Sequence, residues 1–245
     1  MIKEIGKYFI FLGYLLVNRE RFKTYYKLVL QECVEIGIGS LFLFVLVSTF
    51  MGAVTTVQTA YNLVNPLIPS YVISQVVREM TVLELAPTIM AIIFAGKVGS
   101  SMAGGLGTMR ITEQIDALEV MGINSISYLV LPKIVASLFM YPLLVVFAGA
   151  CALFGGYLAG TLTGIITPHD YAYGLRFVFN DFTVTFALIK SFVFAFLVSS
   201  ISCFSGYYTH GGALEVGISS TKAVTTSVIA VLVADYLLAQ LLLGQ

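Results

Sequence analysis

Residues 133–162 read KIVASLFMYPLLVVFAGACALFGGYLAGTL, a stretch whose only charge is the first residue. A bilayer core needs about 20 apolar residues of helix to cross it. This stretch exceeds that length, so tilt or protrusion is expected, with Pro142 as the place for a kink. In lipid, backbone N–H and C=O groups must be satisfied within the segment itself, which makes an α-helical bundle the expected architecture.

Working outward, further apolar stretches run from about Ile36 to Tyr61, Leu83 to Met102, Phe182 to Phe204 and Ala223 to Leu243. Composition agrees. Of 245 residues, 58% are hydrophobic and 11% charged, with a mean hydropathy of +0.95. Soluble domains run about 45–50% apolar and about 25% charged. A disordered chain is excluded and an ordinary soluble globule disfavoured. Thirteen Lys and Arg balance thirteen Asp and Glu, which leaves no nucleic-acid footprint.

Residues 1–35 hold six of the cations: Lys3, Lys7, Arg19, Arg21, Lys23 and Lys27. Ile2, Ile5, Phe9, Leu12 and Leu16 recur at helical spacing, which suits a helix lying in the bilayer interface. No small-residue cleavage site follows, which argues against a signal peptide. Basic flanks mark the cytoplasmic side. The N-terminus is therefore expected inside, with the loops around Arg110 and His210, and the C-terminus outside. The expected fold is an all-α integral membrane protein: an N-terminal interfacial amphipathic helix, five transmembrane helices, and a cytoplasmic helix between the second and third. A single permease domain over 1–245 is expected, made of the basic segment 1–35 and a five-span core 36–245.

Cys33, Cys151 and Cys203 stand far apart, and neither His169 nor His210 has a partner at ligand spacing. No metal centre is expected. Gly96-Lys97 is followed by Val98 and preceded five residues earlier by Ala91, so it is not a phosphate loop. Neither His-Glu-x-x-His nor Gly-x-Ser-x-Gly occurs. The chain reads as a non-enzyme without a cofactor of its own. Gly156, Gly160 and Gly164 fall on one helix face and would permit close helix approach. Ionisable residues at membrane depth are functional candidates: Glu84, Lys97, Lys190 and Asp235. Lys97 is a candidate partner for the acids of the loop described next, and Lys190 and Asp235 for pairing between helices.

That loop, Thr112-Glu-Gln-Ile-Asp-Ala-Leu-Glu-Val-Met-Gly122, reads as a short amphipathic helix. Ile111, Ile115 and Leu118 form one stripe, Glu113, Asp116 and Glu119 lie beside it, and Gly122 ends it. Three acids facing an anionic leaflet are unfavourable, so a protein partner is the better reading.

Glu84-Leu-Ala-Pro87, Phe94-Ala-Gly-Lys-Val-Gly-Ser100, Thr112 to Met121, Leu131-Pro132 and Gly217-Ile-Ser-Ser-Thr-Lys-Ala-Val together resemble the MlaE family. These are permease subunits of bacterial ABC transporters that work with MCE proteins. The resemblance covers roughly residues 30–245. Ala86, Lys97 and Thr221-Lys222 depart from the usual Gly, Arg and Thr-Thr-Arg.

The resemblance implies a homodimer in the bacterial inner membrane. Two cytoplasmic MlaF-type ATPases carrying ATP and Mg would sit beneath it, with an MCE-domain substrate-binding protein on the outer face. The cargo would be phospholipid or a related hydrophobic molecule. Glu113, Ile115, Asp116, Leu118 and Glu119 would form the coupling helix. An apolar lipid cavity at the dimer centre would be lined by Thr56, Tyr61, Leu63, Val64, Leu67, Glu84 and Leu85. There Glu84 would orient an amine, pair with Arg78, or gate the cavity. An ion-coupled secondary carrier using Lys190 and Asp235 is the alternative, and an integral-membrane lipid enzyme lacks the acid or His cluster it would need.

Overall fold

The computed structural model describes residues 2–15, 22–63 and 69–243, and among them there is no β-strand. The helices are α1 (Ile2–Tyr14), α2 (Phe22–Asn62), α3 (Tyr71–Ile111), α4 (Gln114–Val120), α5 (Ser125–Leu162), α6 (Pro168–Arg176), α7 (Asp181–Tyr207) and α8 (Ala213–Leu243). Five of them, α2, α3, α5, α7 and α8, are long and apolar enough to cross a membrane. The expected all-helical, five-span class is what the chain adopts.

The spans are longer than the apolar stretches alone suggest. At 1.5 Å per residue, the 41 residues of α3 cover about 60 Å, twice the hydrocarbon thickness. Helix formers such as Lys27, Gln31, Glu32 and Glu35 extend α2 well before Ile36. The third span begins at Ser125, not after Pro132, and carries both Pro132 and Pro142 inside one helix. A buried proline removes one backbone bond, and neighbouring groups in a bundle re-satisfy the freed carbonyl. Within α3, residues Thr81–Ile89 and Ala95–Gly99 wind as π-helix. Wide turns of this kind recur at functional sites.

The chain divides into two compact units. The first comprises residues 1–40, 91–141 and 192–244. Here α1 packs on the end of α7: Phe11 is fully buried, with its ring centroid 5.5 Å from that of Phe204 and 5.7 Å from that of Tyr207. The Tyr8 hydroxyl meets Ser200 Oγ at 2.6 Å. The protein-facing side of α1 is thus Tyr8, Phe11 and Leu15, while Phe9 is exposed. Leu16 and the side chains of Ile2 and Ile5 lie outside the described residues. Helices α3, α7 and α8 meet through small residues. A Cβ on Gly206 would stand 2.5 Å from the Ala103 carbonyl oxygen, and Ser205 and Ser219 hydroxyls pair at 3.1 Å. Small residues and hydroxyls replace hydrophobic burial as the adhesive between membrane helices.

The second unit comprises residues 41–90, 142–191 and 245. Its α2 and α5 segments touch backbone to backbone: a Cβ at Gly52 would lie 1.8 Å from Ala152 O, and one at Gly155 2.1 Å from Thr49 O. Of the expected glycine face, Gly156 and Gly160 abut Thr56. Gly164 instead lies past the end of α5 with φ +70. Ile73, Val77, Ile166 and Tyr171 form a buried cluster joining α3 to the α5–α6 region. Thr167 caps α6 by accepting from the Asp170 N–H. Hydrogen bonds from Ser70 and Thr167 hold the Asp170 carboxyl below its ordinary range.

Candidate functional site

The loop between the second and third spans is built from a backbone break upward. Helix α3 ends at Ile111, and Glu113 adopts a left-handed conformation with φ 59, unusual for a residue with a Cβ. The chain then turns into the seven residues of α4. Gly122, with φ +77, ends it as the glycine position suggested. The helix is shorter than the expected 112–122 because Glu113 interrupts its start.

Ile115 is fully buried and pins α4 to the first unit. Arg110 Nη1 donates to Asp116 Oδ1 at 2.8 Å, and its guanidinium lies 5.7 Å from the Tyr207 ring centroid. Glu119 Oε1 accepts from Ser125 Oγ at 2.9 Å and from Tyr207 Oη at 3.0 Å. Asn124 Nδ2 donates to the Tyr14 carbonyl at 3.2 Å, which ties the loop to the end of α1. An open cleft of about 280 Å³ between Tyr14, Glu119, Asn124 and Tyr207 borders this network. Burial raises the nearby Tyr208 hydroxyl above its usual range, with Tyr14 adding to the shift and Arg110 opposing it.

The five residues expected to dock a partner thus have different surroundings. Ile115 faces inward, Leu118 is half-buried, and Asp116 and Glu119 hold the loop to its own protein. Glu113 is exposed. Val120 and Met121 are 88% and 65% exposed, so the outward face of α4 offers an apolar pair that the sequence reading did not include.

In the second unit, Glu84 lies in the first π-helical segment of α3. Its Oε1 accepts from Lys190 Nζ at 3.0 Å and its Oε2 from Thr88 Oγ1 at 3.1 Å. The Lys190 side chain is fully buried. Its Nζ also donates to Leu83 O at 3.0 Å and sits 5.0 Å from the Phe186 ring centroid. The ammonium therefore serves a carboxylate and a backbone carbonyl. Arg78 is not the partner of Glu84. It is buried against the Leu175, Phe177 and Val178 carbonyls and Glu79, where it fastens the chain after α6.

The other expected lipid-lining residues are dispersed. Thr56 is buried and donates to Gly52 O, Tyr61 is 81% exposed, Leu63 packs on the Ile73–Tyr171 cluster, and Leu85 is half-buried. Val64 and Leu67 lie outside the described residues. Lys97 bonds the Gly39 carbonyl of α2, not the acids of the α4 loop, and Asp235 is half-buried in α8. No cluster of three or more His, Cys, Asp or Glu suited to a metal occurs among the described residues.

The family model described as Permease MlaE matches residues 29–241. A probable ABC transporter permease protein of Rickettsia bellii is 35% identical over 241 residues, covering 98% of this chain and 93% of that protein. A probable ABC transporter permease protein of Synechocystis is 32% identical over 213 residues, covering 87% and 81%. The chloroplastic protein Trigalactosyldiacylglycerol 1 of Arabidopsis thaliana is 32% identical over 234 residues, covering 94% of this chain and 65% of that protein. With the family model reaching into each of the five membrane-length helices, this multi-pass membrane protein belongs to the MlaE permease family.

Proposed function

We propose that the chain is the non-hydrolysing membrane subunit of an ABC transporter that moves phospholipid or a related hydrophobic molecule between the inner and outer membranes of a bacterium. The permease role rests on family membership and on relatives named as ABC transporter permeases. The observation that carries the mechanism is α4, a helix pinned by buried Ile115 and turned outward through Glu113, Val120 and Met121. A short rigid element joining two spans passes a push from a cytoplasmic ATPase directly into α3 and α5. ATP and Mg are bound by that separate MlaF-type subunit. Two ATPases need two such helices, so the working unit is a closed two-fold homodimer.

A lipid cargo is favoured by the Arabidopsis relative, whose name contains a diacylglycerol lipid. Glu84 and Lys190 add a charged pair half-open to its surroundings in an apolar span, a place for a polar headgroup to bind while acyl chains lie on apolar walls. An MCE-domain protein on the outer face would receive or deliver the cargo. The N-terminus lies in the cytoplasm and the C-terminus in the periplasm, as the basic flanks imply. Purification from the native membrane, with mass spectrometry of co-purifying subunits and lipids, tests the reading. It is supported by an ATPase, an MCE-domain protein and phospholipid in stoichiometric amounts. Recovery of an active complex without any ATPase overturns it.

A further inference from the structure

We propose that the first unit carries a second lipid site, a headgroup pocket for a zwitterionic phospholipid with a primary ammonium, formed by Glu35 and Ser40 of α2 and Lys97 of α3. A cavity of about 330 Å³ lies there, with a polar wall of Glu32, Glu35, Ser40, Lys97, Ser101 and Lys133. Glu32 and Lys133 form an ion pair and neutralise each other. Glu35 and Lys97 remain, and neither has an ion-pair partner among the described residues. Lys97 uses one hydrogen bond on Gly39 O, and an ammonium has three N–H donors. Ser40, a residue of the cavity wall, is 1% exposed, and its hydroxyl has no partner among the described residues. A buried hydroxyl left unpaired lowers stability, and a bound phosphate oxygen would supply its partner.

The unused groups specify the ligand. Lys97 and Ser40 offer donors suited to a phosphate, and Glu35 offers a carboxylate suited to an ammonium. Gly39, which holds Lys97, is four residues from Glu35, about 6 Å along the helix axis. That offset suits a phosphate and an ammonium joined by a two-carbon spacer. A primary ammonium donates hydrogen bonds to a carboxylate, whereas a quaternary one has no N–H. Ethanolamine is therefore favoured over choline. The depth agrees, because Glu35 stands just before the apolar run that opens at Ile36, the level at which headgroups meet hydrocarbon. Ile36, Val98 and Met102 supply an apolar wall for the glycerol end. The inference needs only the membrane location and is independent of the transport reading and of Glu84.

The test is native mass spectrometry of the full chain in detergent with phosphatidylethanolamine, phosphatidylcholine, phosphatidylglycerol or soluble phosphoethanolamine. The wild type should retain phosphatidylethanolamine about tenfold over phosphatidylcholine. Glu35→Gln should abolish that preference while leaving phosphatidylglycerol unchanged, and Lys97→Gln should weaken both phosphatidylethanolamine and phosphatidylglycerol. Ser40→Ala should lower retention of both and raise the Tm in lipid-free detergent, a change that no folding defect imitates. Equal retention of ethanolamine and choline lipids by the wild type overturns the proposal. Binding of phosphoethanolamine without lipid retention overturns the lipid source in favour of a soluble phosphoester. Quantitative disulfide cross-linking of Ser101→Cys between copies in lipid also overturns it, since a second copy then fills the cavity.

Discussion

Replacing Ile115 with alanine should free α4 without unfolding the spans. Ile115 is the fully buried side chain of a helix only seven residues long. Helices shorter than about 12 residues are marginal in water on their own, so tertiary contact holds this one. Truncating a buried isoleucine costs about 2–5 kcal/mol. The Arg110–Asp116 pair is partly exposed and adds no more than about 1 kcal/mol. Taking about 3 kcal/mol for the loss, local opening becomes about 100-fold more frequent, since each 1.4 kcal/mol is tenfold. Hydrogen exchange in detergent should show amides of 114–120 exchanging about 100-fold faster, with those of α7 unchanged. The paired variant Val120→Ser/Met121→Ser should leave exchange alone and weaken capture of the ATPase. Exchange across 114–120 within threefold of the wild type in Ile115→Ala would refute the claim that this side chain holds the helix.

The double reversal Glu113→Lys/Asp116→Lys should release the ATPase in a pull-down while membrane insertion persists. Rim charges contribute only about 1 kcal/mol each, so single reversals should have weak effects. Glu84→Lys sets a second cation against buried Lys190 and should impair lipid transport and lower the Tm while ATPase capture survives. Wild-type transport rates in that variant would show Glu84 to be a boundary residue. Gly155→Val should prevent assembly of the second unit, because its Cβ meets the Thr49 backbone; Gly39→Ala, with open space at its Cβ, should fold normally. Both outcomes are read by size-exclusion and protease resistance.

The number and order of the spans were legible because hydropathy acts segment by segment, and five apolar stretches produced five long helices. Their ends were not. Lys, Gln and Glu continue a helix beyond the hydrocarbon as readily as apolar residues do, which lengthened α2 and α3. The periodicity of the α4 loop put Ile115 on one stripe with Leu118 and Gly122 at the stop, but it could not tell a stripe that docks a partner from one buried in the protein's own core, where Ile115 lies. The left-handed turn at Glu113 had no signal, since glutamate carries no preference for it. Pairing was the least legible feature. Lys190 is 106 residues from Glu84, and only the fold selects it over Arg78, which is nearer in sequence and already occupied. The protein-facing side of α1 had no signal in the sequence. Aromatic partners on α7 draw in Tyr8 and Phe11, while lipid accepts an exposed Phe9 without penalty.

The central claim is that motion in this chain is driven by a separate ATPase. The direct measurement is transfer of labelled phospholipid from proteoliposomes containing the chain with or without its ATPase, at fixed ATP, with ion gradients imposed or collapsed. The account predicts transfer only when ATPase and ATP are both present, insensitive to the gradients and lost in the Glu113→Lys/Asp116→Lys variant. Gradient-driven transfer by the chain alone, undiminished without the ATPase, would contradict it.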